Sequence, residues 1–321
     1  MTKLTFLQIF LLASLISFGQ LSNGLPTTND AFKKQIESIG NNEKISVDST
    51  YNILSNWNQY PAINDTKKWY LFLYKDSIFG IVPLRIYIPG NYQSNVSSPA
   101  VLILHGAVGL SSFKDAYKDT VADEDIFYSY FAKQNFIVVR PFADSYGPNA
   151  DGTKNFDWVV NRFNRINKSR TKTNLTFSTL NDVISQLKKV LNIDDNKIFA
   201  LGHSDGADGT FALEVYKPST FAGFVVYNSM LTTVFGHDTY LRNTLNRPLY
   251  LVHSDLDDLR PIQQTRLIMK ILDSLKSPVL YKEYIGYQHY DKHLQIDLPF
   301  GYEWMKGISR NPFQKNLLGN E

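Results

Sequence analysis

Uninterrupted apolar runs are the feature that most constrains the fold of this chain. They lie at residues 100–104, 136–139, 197–201, 221–227 and 249–252, and residues 279–285 are expected to make a sixth strand. A run without polar alternation is typical of a strand whose two faces are both buried, as in a parallel sheet covered on both sides. We therefore expect a central sheet of about six such strands.

Helical patterns separate these runs. Residues 180–191 place Leu and Val/Ile side chains at helical spacing along one stripe, with Ser178 or Thr179 as the expected N-cap. A second stripe covers residues 262–275. Strands that alternate with helices predict an α/β fold, with a mostly parallel central sheet and helices on both faces.

Two β-rich runs precede the apolar series. Residues 68–74 and 81–88 are separated by Lys-Asp-Ser, which predicts an N-terminal antiparallel hairpin. Residues 20–66 are polar and rich in Asn, and we interpret them as a surface lead-in. The remaining residues, 67–321, are predicted to form one α/β domain.

Composition excludes several classes of protein. The chain has 321 residues, 43% of them hydrophobic and 20% charged, which is close to globular averages and unlike a disordered chain, a collagen or a coiled coil. The net charge is only +3 and the basic residues are dispersed, so we expect no nucleic-acid partner. There is no cysteine, no metal-binding motif and no glycine-rich phosphate loop. We therefore expect no cofactor and no metal.

The first nineteen residues have the three parts of a secretory signal. Lys3 precedes an apolar stretch over residues 4–18, and small residues stand at Ser17 and Gly19. The alternative is a membrane anchor, but about 15 residues with polar interruptions are short for a hydrocarbon core of ~30 Å. We expect a removable leader over residues 1–19, an exported protein (periplasmic or secreted), and no membrane span after its removal.

The motif Gly202-His203-Ser204-Asp205-Gly206 carries the first chemical signal. It follows the run at 197–201 and precedes a helical composition over residues 207–216. Glycines in a strand–turn–helix context permit the tight turn that lifts a serine hydroxyl above a sheet. The pattern predicts Ser204 as a nucleophile.

A serine hydroxyl needs a positioned base at neutral pH. The chain has six histidines, so every candidate can be considered. His203 adjoins the serine and is expected to point away from it on the turn, His105 and His253 end strands, and His237 lies in an earlier loop. His289 and His293 follow the last predicted strand, and we favour His289 because it comes only a few residues after that strand.

The base needs a carboxylate, and the carbonyl under attack needs N–H donors. Asp255, Asp257 and Asp258 all follow the run at 249–252, and the residues themselves leave the choice among them open. We expect the oxyanion hole to use the backbone N–H of Asp205, at the start of its helix, and that of Ala107, in the turn after a strand.

Together these residues resemble the α/β-hydrolase superfamily over residues 68–307. The resemblance rests on Leu104-His105-Gly106, the Gly-x-Ser-x-Gly motif, the segment His253-Ser254-x-x-Asp257 with Pro261, and His289. In that family the triad runs Ser, Asp, His along the chain, which implies Ser204, Asp257 and His289 here. The sequence departs from the family pattern at Ser254 and at Gln288, where glycine is common.

Within the superfamily the chain resembles exported esterases of the polyhydroxybutyrate-depolymerase and feruloyl/acetylxylan-esterase type. The short hairpin, the His105-Gly106 loop and the absence of a large cap carry this resemblance. It implies hydrolysis of a small-molecule or polymer-borne carboxylic ester through an acyl-enzyme. The alternatives are a serine peptidase similar to prolyl oligopeptidases and a non-catalytic binding protein on the same scaffold.

Residues 146–176 form a polar, Asn- and Arg-rich segment without clear periodicity. A connection of this length is either a functional loop or a small excursion with its own structure, so we interpret it as a candidate lid or substrate loop. Trp158 is expected to stack on a substrate, and His105 and Tyr287 are expected to contribute to substrate binding. The alternative is that these aromatic side chains only pack the loops.

Overall fold

The computed structural model describes residues 21–22, 24–76, 80–110, 125–143, 145–146, 154–156, 158, 173–230 and 238–312. The predicted leader lies outside this part of the chain, as do residues 147–153, 157 and 159–172 of the predicted substrate loop. No helix within the described residues is long and apolar enough to cross a membrane.

A large sheet organises the described part of the chain. Its nine strands stand in the order β1-β2-β3-β6-β4-β9-β10-β11-β12. The strands are β1 (Leu21–Ser22), β2 (Lys68–Asp76), β3 (Gly80–Ile88), β4 (Ser98–Leu104), β6 (Ile137–Pro141), β9 (Ile193–His203), β10 (Gly223–Tyr227), β11 (Leu249–Ser254) and β12 (Val279–Tyr284). Every predicted run is a strand of this sheet, which confirms the α/β architecture.

The sheet has a parallel part and an antiparallel part. Neighbouring strands from β6 through β12 pair in parallel, whereas β1, β2 and β3 pair antiparallel. The predicted hairpin is confirmed, with Lys68 opposite Ile88 and Asp76 opposite Gly80. Because parallel strands all end at the same edge, the residues after β4, β9, β10 and β11 meet there.

The helices of the described residues cover both faces of the sheet. They are α1 (Asp30–Gly40), α2 (Val47–Ser55), α3 (Ile126–Ala132), α4 (Thr173–Val190), α5 (Asp205–Tyr216), α6 (Ile262–Leu275) and α7 (His293–Gly307), with 3-10 turns at Pro218–Thr220 and Asp238–Asn246. Alternate residues of β4 point to different cores: Leu102 and Leu104 to one, Val101 and Ile103 to the other. This two-sided burial is the physical reason for the uninterrupted apolar runs.

One helix boundary differs from the sequence predictions. Helix α4 begins at Thr173, so the expected N-cap at Ser178 or Thr179 is wrong. The sequence prediction started from the apolar spacing at Leu180, whereas the helix extends through the mixed residues before it.

The predicted lead-in contains regular structure of its own. β1 adds to the edge of the sheet by pairing with β2, and α1 buries Ile36 and Ile39. Asn29 and Ser46 cap α1 and α2 through their side-chain oxygens. A second sheet, with strand order β5-β8-β7, joins Val108–Leu110, Lys154–Phe156 and Ser145–Tyr146. Short strands therefore lie within the predicted substrate loop.

Candidate active site

Ser204 lies in a sharp turn between β9 and α5. Its backbone has φ 59° and ψ −121°, in a region that non-glycine residues seldom occupy and that stores strain. A Cβ on Gly202 would overlap the carbonyl of Gly206, and a Cβ on Gly206 would overlap the carbonyl of Leu104. Both glycines of the motif are therefore required by close backbone approach, and the turn holds the serine at the carboxyl edge of the sheet.

The structure brings Ser204, His289 and Asp257 into one chain of hydrogen bonds. His289 Nε2 lies 2.8 Å from Ser204 Oγ, and His289 Nδ1 lies 2.7 Å from Asp257 Oδ2. With the proton on Nδ1, the imidazole donates to the carboxylate and accepts from the serine hydroxyl. This arrangement can move the serine proton to His289 while Asp257 stabilises the resulting cation.

Asp257 is held as a buried carboxylate. Burial alone raises the pKa of Asp257, but hydrogen bonds from His253, His289, the backbone N–H of Arg260 and Asn228 outweigh it, so this pKa lies well below its usual range. The Arg260 N–H lies 2.7 Å from Oδ1. Asp257 therefore stays negatively charged beside the imidazole at any physiological pH.

The other two candidate carboxylates face elsewhere. Asp255 Oδ1 accepts from the backbone N–H of Gly286 at 2.6 Å, at the start of the segment that carries His289. Asp258 is exposed. Of the three aspartates after β11, Asp257 is the one hydrogen-bonded to His289.

His293 occupies a different position from His289. It is fully buried at the start of α7, and its Nε2 donates to Asn228 Oδ1 at 3.1 Å. Burial lowers the pKa of His293 to about 4, so the side chain is neutral near pH 7. The Nδ2 of Asn228 in turn donates to Asp257 Oδ2 at 2.7 Å. His293 thus supports the carboxylate through Asn228.

His203 is a functional candidate that the sequence did not single out. Its Nε2 donates to the backbone carbonyl of His289 at 2.8 Å, and its ring lies 4.7 Å from the ring of His289. Phe127 stacks on its other side at 5.7 Å. Burial lowers the pKa of His203 to about 3, so the ring is neutral. We expected His203 to point away from the site, and that expectation is wrong because the turn directs it under His289.

The two departures from the family pattern contact each other. The Ser254 hydroxyl donates to the carbonyl of Gln288 at 2.9 Å and accepts from Asn228 Nδ2 at 2.6 Å. Glycine at position 254 could make neither bond. Ser254 therefore holds the backbone immediately before His289.

The turn over residues 105–107 lies against Ser204. The Cβ position of Gly106 is 3.8 Å from Ser204 Cβ, and Ala107 is exposed. The N–H of Asp205 belongs to the first residue of α5, where no earlier carbonyl of the helix can accept it. The turn that carries Ala107 and the first residue of α5 thus both lie next to Ser204, and their roles as oxyanion donors stay a prediction.

His105 does not face a substrate. The side chain is buried; its Nδ1 donates to the Gly106 carbonyl at 2.6 Å, and its Nε2 accepts from the Ala143 N–H at 3.1 Å. Its expected role in substrate binding is corrected accordingly, because both ring nitrogens are used to fix the turn that carries Ala107.

Trp158 is also a packing residue, contrary to expectation. It is fully buried; Nε1 donates to the His105 carbonyl at 2.9 Å, and its backbone N–H donates to Asp205 Oδ2 at 3.1 Å. A ring with no exposed face cannot stack on a substrate. Tyr287 is half-buried and its ring contacts Tyr284 and His293.

In the described ranges, no group of three or more His, Cys, Asp or Glu side chains could hold a metal ion.

The similarity of this chain to known proteins lies in its structure. No protein-family model matches the sequence, and no curated protein is significantly similar to it.

Solved structures of esterases and serine hydrolases share the fold. A thermostable esterase superposes with a TM-score of 0.56 at 22% identity over 75% of this chain, and the match spans 63% of that esterase. An S-formylglutathione hydrolase from Agrobacterium tumefaciens gives 0.56 at 11% identity, covering 76% of this chain and 97% of its own.

A fluorophosphonate-binding serine hydrolase F from Staphylococcus aureus gives 0.52 at 14% identity, with 74% and 98% of the two chains covered. Sequence identities this low are evidence for a shared fold only. Combined with the strand order and the nucleophile turn, they establish that this chain has the α/β-hydrolase fold, as the sequence motifs predicted.

Proposed function

We propose that this protein is a serine hydrolase that cleaves carboxylic esters through an acyl-enzyme. The observation that carries the proposal is the hydrogen-bonded chain from Ser204 through His289 to Asp257, at 2.8 and 2.7 Å. A nucleophile, a base and a carboxylate within these distances have the geometry of covalent acyl transfer.

The first half-reaction forms the acyl-enzyme. Ser204 Oγ attacks the ester carbonyl while its proton moves to His289 Nε2, and the carbonyl oxygen becomes an oxyanion held by the N–H groups of Ala107 and Asp205. The carbon–oxygen bond to the alcohol then breaks, and the alkoxide takes the proton from His289. Asp257 stabilises the imidazolium between the two transfers.

The second half-reaction restores the enzyme. Water attacks the acyl carbon and gives one proton to His289 Nε2. The bond to Ser204 breaks, the serine oxygen takes that proton back, and the carboxylic acid leaves. Every proton is carried by His289, so the chemistry uses only these side chains, the two N–H donors and water.

The test is hydrolysis of p-nitrophenyl acetate and butyrate by the wild type and by Ser204→Ala. We expect the variant to lose at least 10³-fold in kcat/KM, because the covalent step has no substitute nucleophile. The matched control is Ser274→Ala, which removes an exposed hydroxyl on α6. A fluorophosphonate probe should label the wild type at Ser204 and leave the variant unlabelled.

A panel of peptide amides beside the esters separates this proposal from the peptidase alternative. Turnover of amides at rates equal to or above those of esters would favour a peptidase. Wild-type activity in Ser204→Ala, or no turnover of any ester or amide together with no labelling, would refute the hydrolase proposal and favour a binding protein.

The proposal includes export of the mature protein. Lys3, the apolar stretch over residues 4–18 and the small residues before Gln20 support it. Amino-terminal sequencing of the protein recovered from outside the cytoplasm should begin at Gln20. Recovery of the intact leader on cytoplasmic protein would contradict export.

A further inference from the structure

Trp158 makes one hydrogen bond to each of the two segments that carry the candidate oxyanion donors. Its indole Nε1 donates to the backbone carbonyl of His105 at 2.9 Å, and its backbone N–H donates to Asp205 Oδ2 at 3.1 Å. His105 begins the turn that carries the Ala107 N–H, and Asp205 supplies the second N–H from the start of α5. Trp158 belongs to neither segment, since it lies 53 and 47 positions from them along the chain. One residue therefore bridges the two donor segments.

The ring of Trp158 packs against both of these segments. It is fully buried, and its centroid lies 4.9 Å from the centroid of the His105 ring. On the α5 side, a Cβ on Gly209 would come within 2.5 Å of Trp158 Cβ, so the helix has a glycine where the tryptophan approaches it most closely. Densely packed groups have few alternative arrangements, because neighbouring atoms leave no space to move into. The indole thus contacts the turn and the helix at once.

The carbonyl of His105 is held between Trp158 and α5. A Cβ on Gly206 would meet this oxygen at 2.7 Å, so the carbonyl lies against the first turn of the helix. The His105 ring is fixed separately, because its Nε2 accepts from the Ala143 N–H at 3.1 Å. Without the indole N–H, this carbonyl would lose a donor only two residues before Ala107.

Stabilisation of an oxyanion depends on where its two donors lie. Each N–H must be about 2.7–3.1 Å from the oxyanion, and removal of one donor costs about 10²–10³ in kcat. A shift of the 105–107 turn relative to α5 would change this distance for one donor, while Ser204 stays fixed by its own backbone. Such a shift reduces binding of the transition state and leaves binding of the substrate nearly unchanged.

We propose that Trp158 is a positioning residue for the oxyanion hole, and that it holds the Ala107 N–H at the required separation from the Asp205 N–H. It acts through its hydrogen bonds to the His105 carbonyl and the Asp205 carboxylate, and its buried ring does not contact the substrate. The inference rests on the ester hydrolysis proposed above. Changes at Trp158 should therefore weaken the states of the reaction that carry an oxyanion.

The experiment compares the wild type with Trp158→Phe on p-nitrophenyl butyrate. Phenylalanine keeps the Cβ and Cγ that pack on Gly209, but it cannot donate to the His105 carbonyl. We expect kcat to fall about 10- to 50-fold with KM changed less than about twofold, because one donor is displaced and not removed. An endpoint titration of Ser204 with a fluorophosphonate gives the concentration of active sites, so inactive protein is not counted as a loss in kcat.

An alkyl boronic acid gives the readout that a purely structural role would not change. Ser204 Oγ bonds to the boron of butaneboronic acid, the serine proton moves to His289, and one boron-bound oxygen of the resulting anion takes the place of the oxyanion. We expect the inhibition constant to rise by the same factor by which kcat falls. A lower kcat with an unchanged inhibition constant would overturn the proposal, because Trp158 would then act elsewhere than at the oxyanion.

Asp205→Ala tests the other hydrogen bond of Trp158. It removes the carboxylate acceptor and keeps the backbone N–H, so kcat and boronic acid affinity should fall together by about 5- to 20-fold. Asp205→Asn retains an oxygen acceptor and should recover part of the loss. The matched control is Trp57→Phe in the lead-in, because the Trp57 indole N–H has no hydrogen-bond partner among the described residues.

Melting temperatures show which variants are folded, and Asp205→Ala decides by itself if Trp158→Phe does not fold. Wild-type kcat in the folded variants at positions 158 and 205 would overturn this inference alone and leave the hydrolase proposal standing. A loss in Trp57→Phe equal to that in Trp158→Phe would also overturn it, because the effect would then be general. Absence of ester turnover in the wild type would refute the hydrolase proposal and this inference together.

Discussion

The nucleophile and the base of the candidate site are held by different means. Ser204 is fixed by its own backbone: a strained φ and two glycines in close contact with neighbouring carbonyls. His289 is fixed by side chains from other elements. His203 donates to the backbone carbonyl of His289, and Asp257 accepts from the His289 ring. Ser254 secures the preceding residue.

This difference predicts how each part fails. A backbone-defined turn tolerates no added atom, because the Gly206 carbonyl in α5 and the Leu104 carbonyl in β4 cannot move without disturbing the helix and the sheet. A loop held by several side-chain hydrogen bonds loses one anchor at a time. Changes at the nucleophile turn should therefore be all-or-none, and changes around His289 should be graded.

The largest effect is expected from Gly206→Ala. The added Cβ would overlap the Leu104 carbonyl, so the turn at Ser204 must open and the turn over residues 105–107 must shift. We expect loss of detectable ester hydrolysis and a lower melting temperature. Gly40→Ala is the matched control, since a Cβ there meets nothing within 4 Å. Near wild-type activity in Gly206→Ala would show that the turn is not fixed by backbone contact.

Asp257→Asn should give the next largest effect. The amide keeps the shape of the side chain but favours the wrong tautomer of His289, and the equivalent change in a serine protease costs about 10⁴-fold in kcat. We expect a loss of about 10³–10⁴ in kcat with the fold intact. Asp258→Asn, at the exposed neighbouring position, is the control. A loss below tenfold would remove Asp257 from the proposed mechanism.

His203→Phe tests the support beneath His289. Phenylalanine preserves the stack on Phe127 but leaves the His289 carbonyl without its donor, which costs about 1–3 kcal/mol. We expect kcat to fall about 10- to 30-fold with KM little changed, and His203→Gln to recover part of the loss. Equal activities of the Phe and Gln variants would mean that the hydrogen bond has no positioning role.

The buried histidines make the base side sensitive to acid. Unfolded histidine titrates near pH 6.5, whereas His293 in the fold has a pKa of about 4. Between these two values only the unfolded chain binds the proton. The contribution of neutral His293 to the free energy of unfolding is therefore fully present above pH 6.5 and decreases as the pH falls toward 4. In urea titrations at pH 7 and pH 5, His293→Gln should lose about 1–2 kcal/mol less than the wild type. An unchanged difference would contradict a neutral buried His293.

The smallest effect is expected from Ser254→Ala. It removes the hydrogen bond to the Gln288 carbonyl and the one accepted from Asn228, while His203 and Asp257 still hold His289, so kcat should fall only about three- to fivefold. Steady-state kinetics on p-nitrophenyl butyrate measures this. A loss as large as that of Asp257→Asn would show that the anchors act as one unit and that the graded response is wrong.

Much of the fold was predictable from the residues alone. The predicted runs marked every strand of the parallel part, because burial on both faces removes polar residues along β4, β6, β10, β11 and the end of β9. The edge strand β12 is only partly buried. The start of α4 was not predicted, since its first turns mix polar residues with Leu175 and Phe177 and give a weaker pattern than residues 180–191. Hydrophobic periodicity along the chain does not indicate the order in which the strands lie in the sheet.

The candidate site could likewise be predicted from the sequence only in part. The position of Ser204 follows from five contiguous residues, whose glycines and helical continuation specify a strand, a turn and a helix. The sequence left three aspartates open until the resemblance selected Asp257, and it favoured His289 over His293 only by distance from a strand. The expected substrate contacts of Trp158 and His105 were wrong, because the neighbouring sequence does not indicate whether a side chain faces the protein interior.

The sequence by itself determined the elements and the nucleophile turn, because backbone conformation and burial depend on neighbouring residues and on period. Only the tertiary structure decided which imidazole contacts Ser204 and which carboxylate contacts that imidazole. It also decided that His203 and Ser254 hold the segment that carries His289. These contacts join residues 85 and 32 positions apart, and they exist because parallel strands bring their ends to one edge.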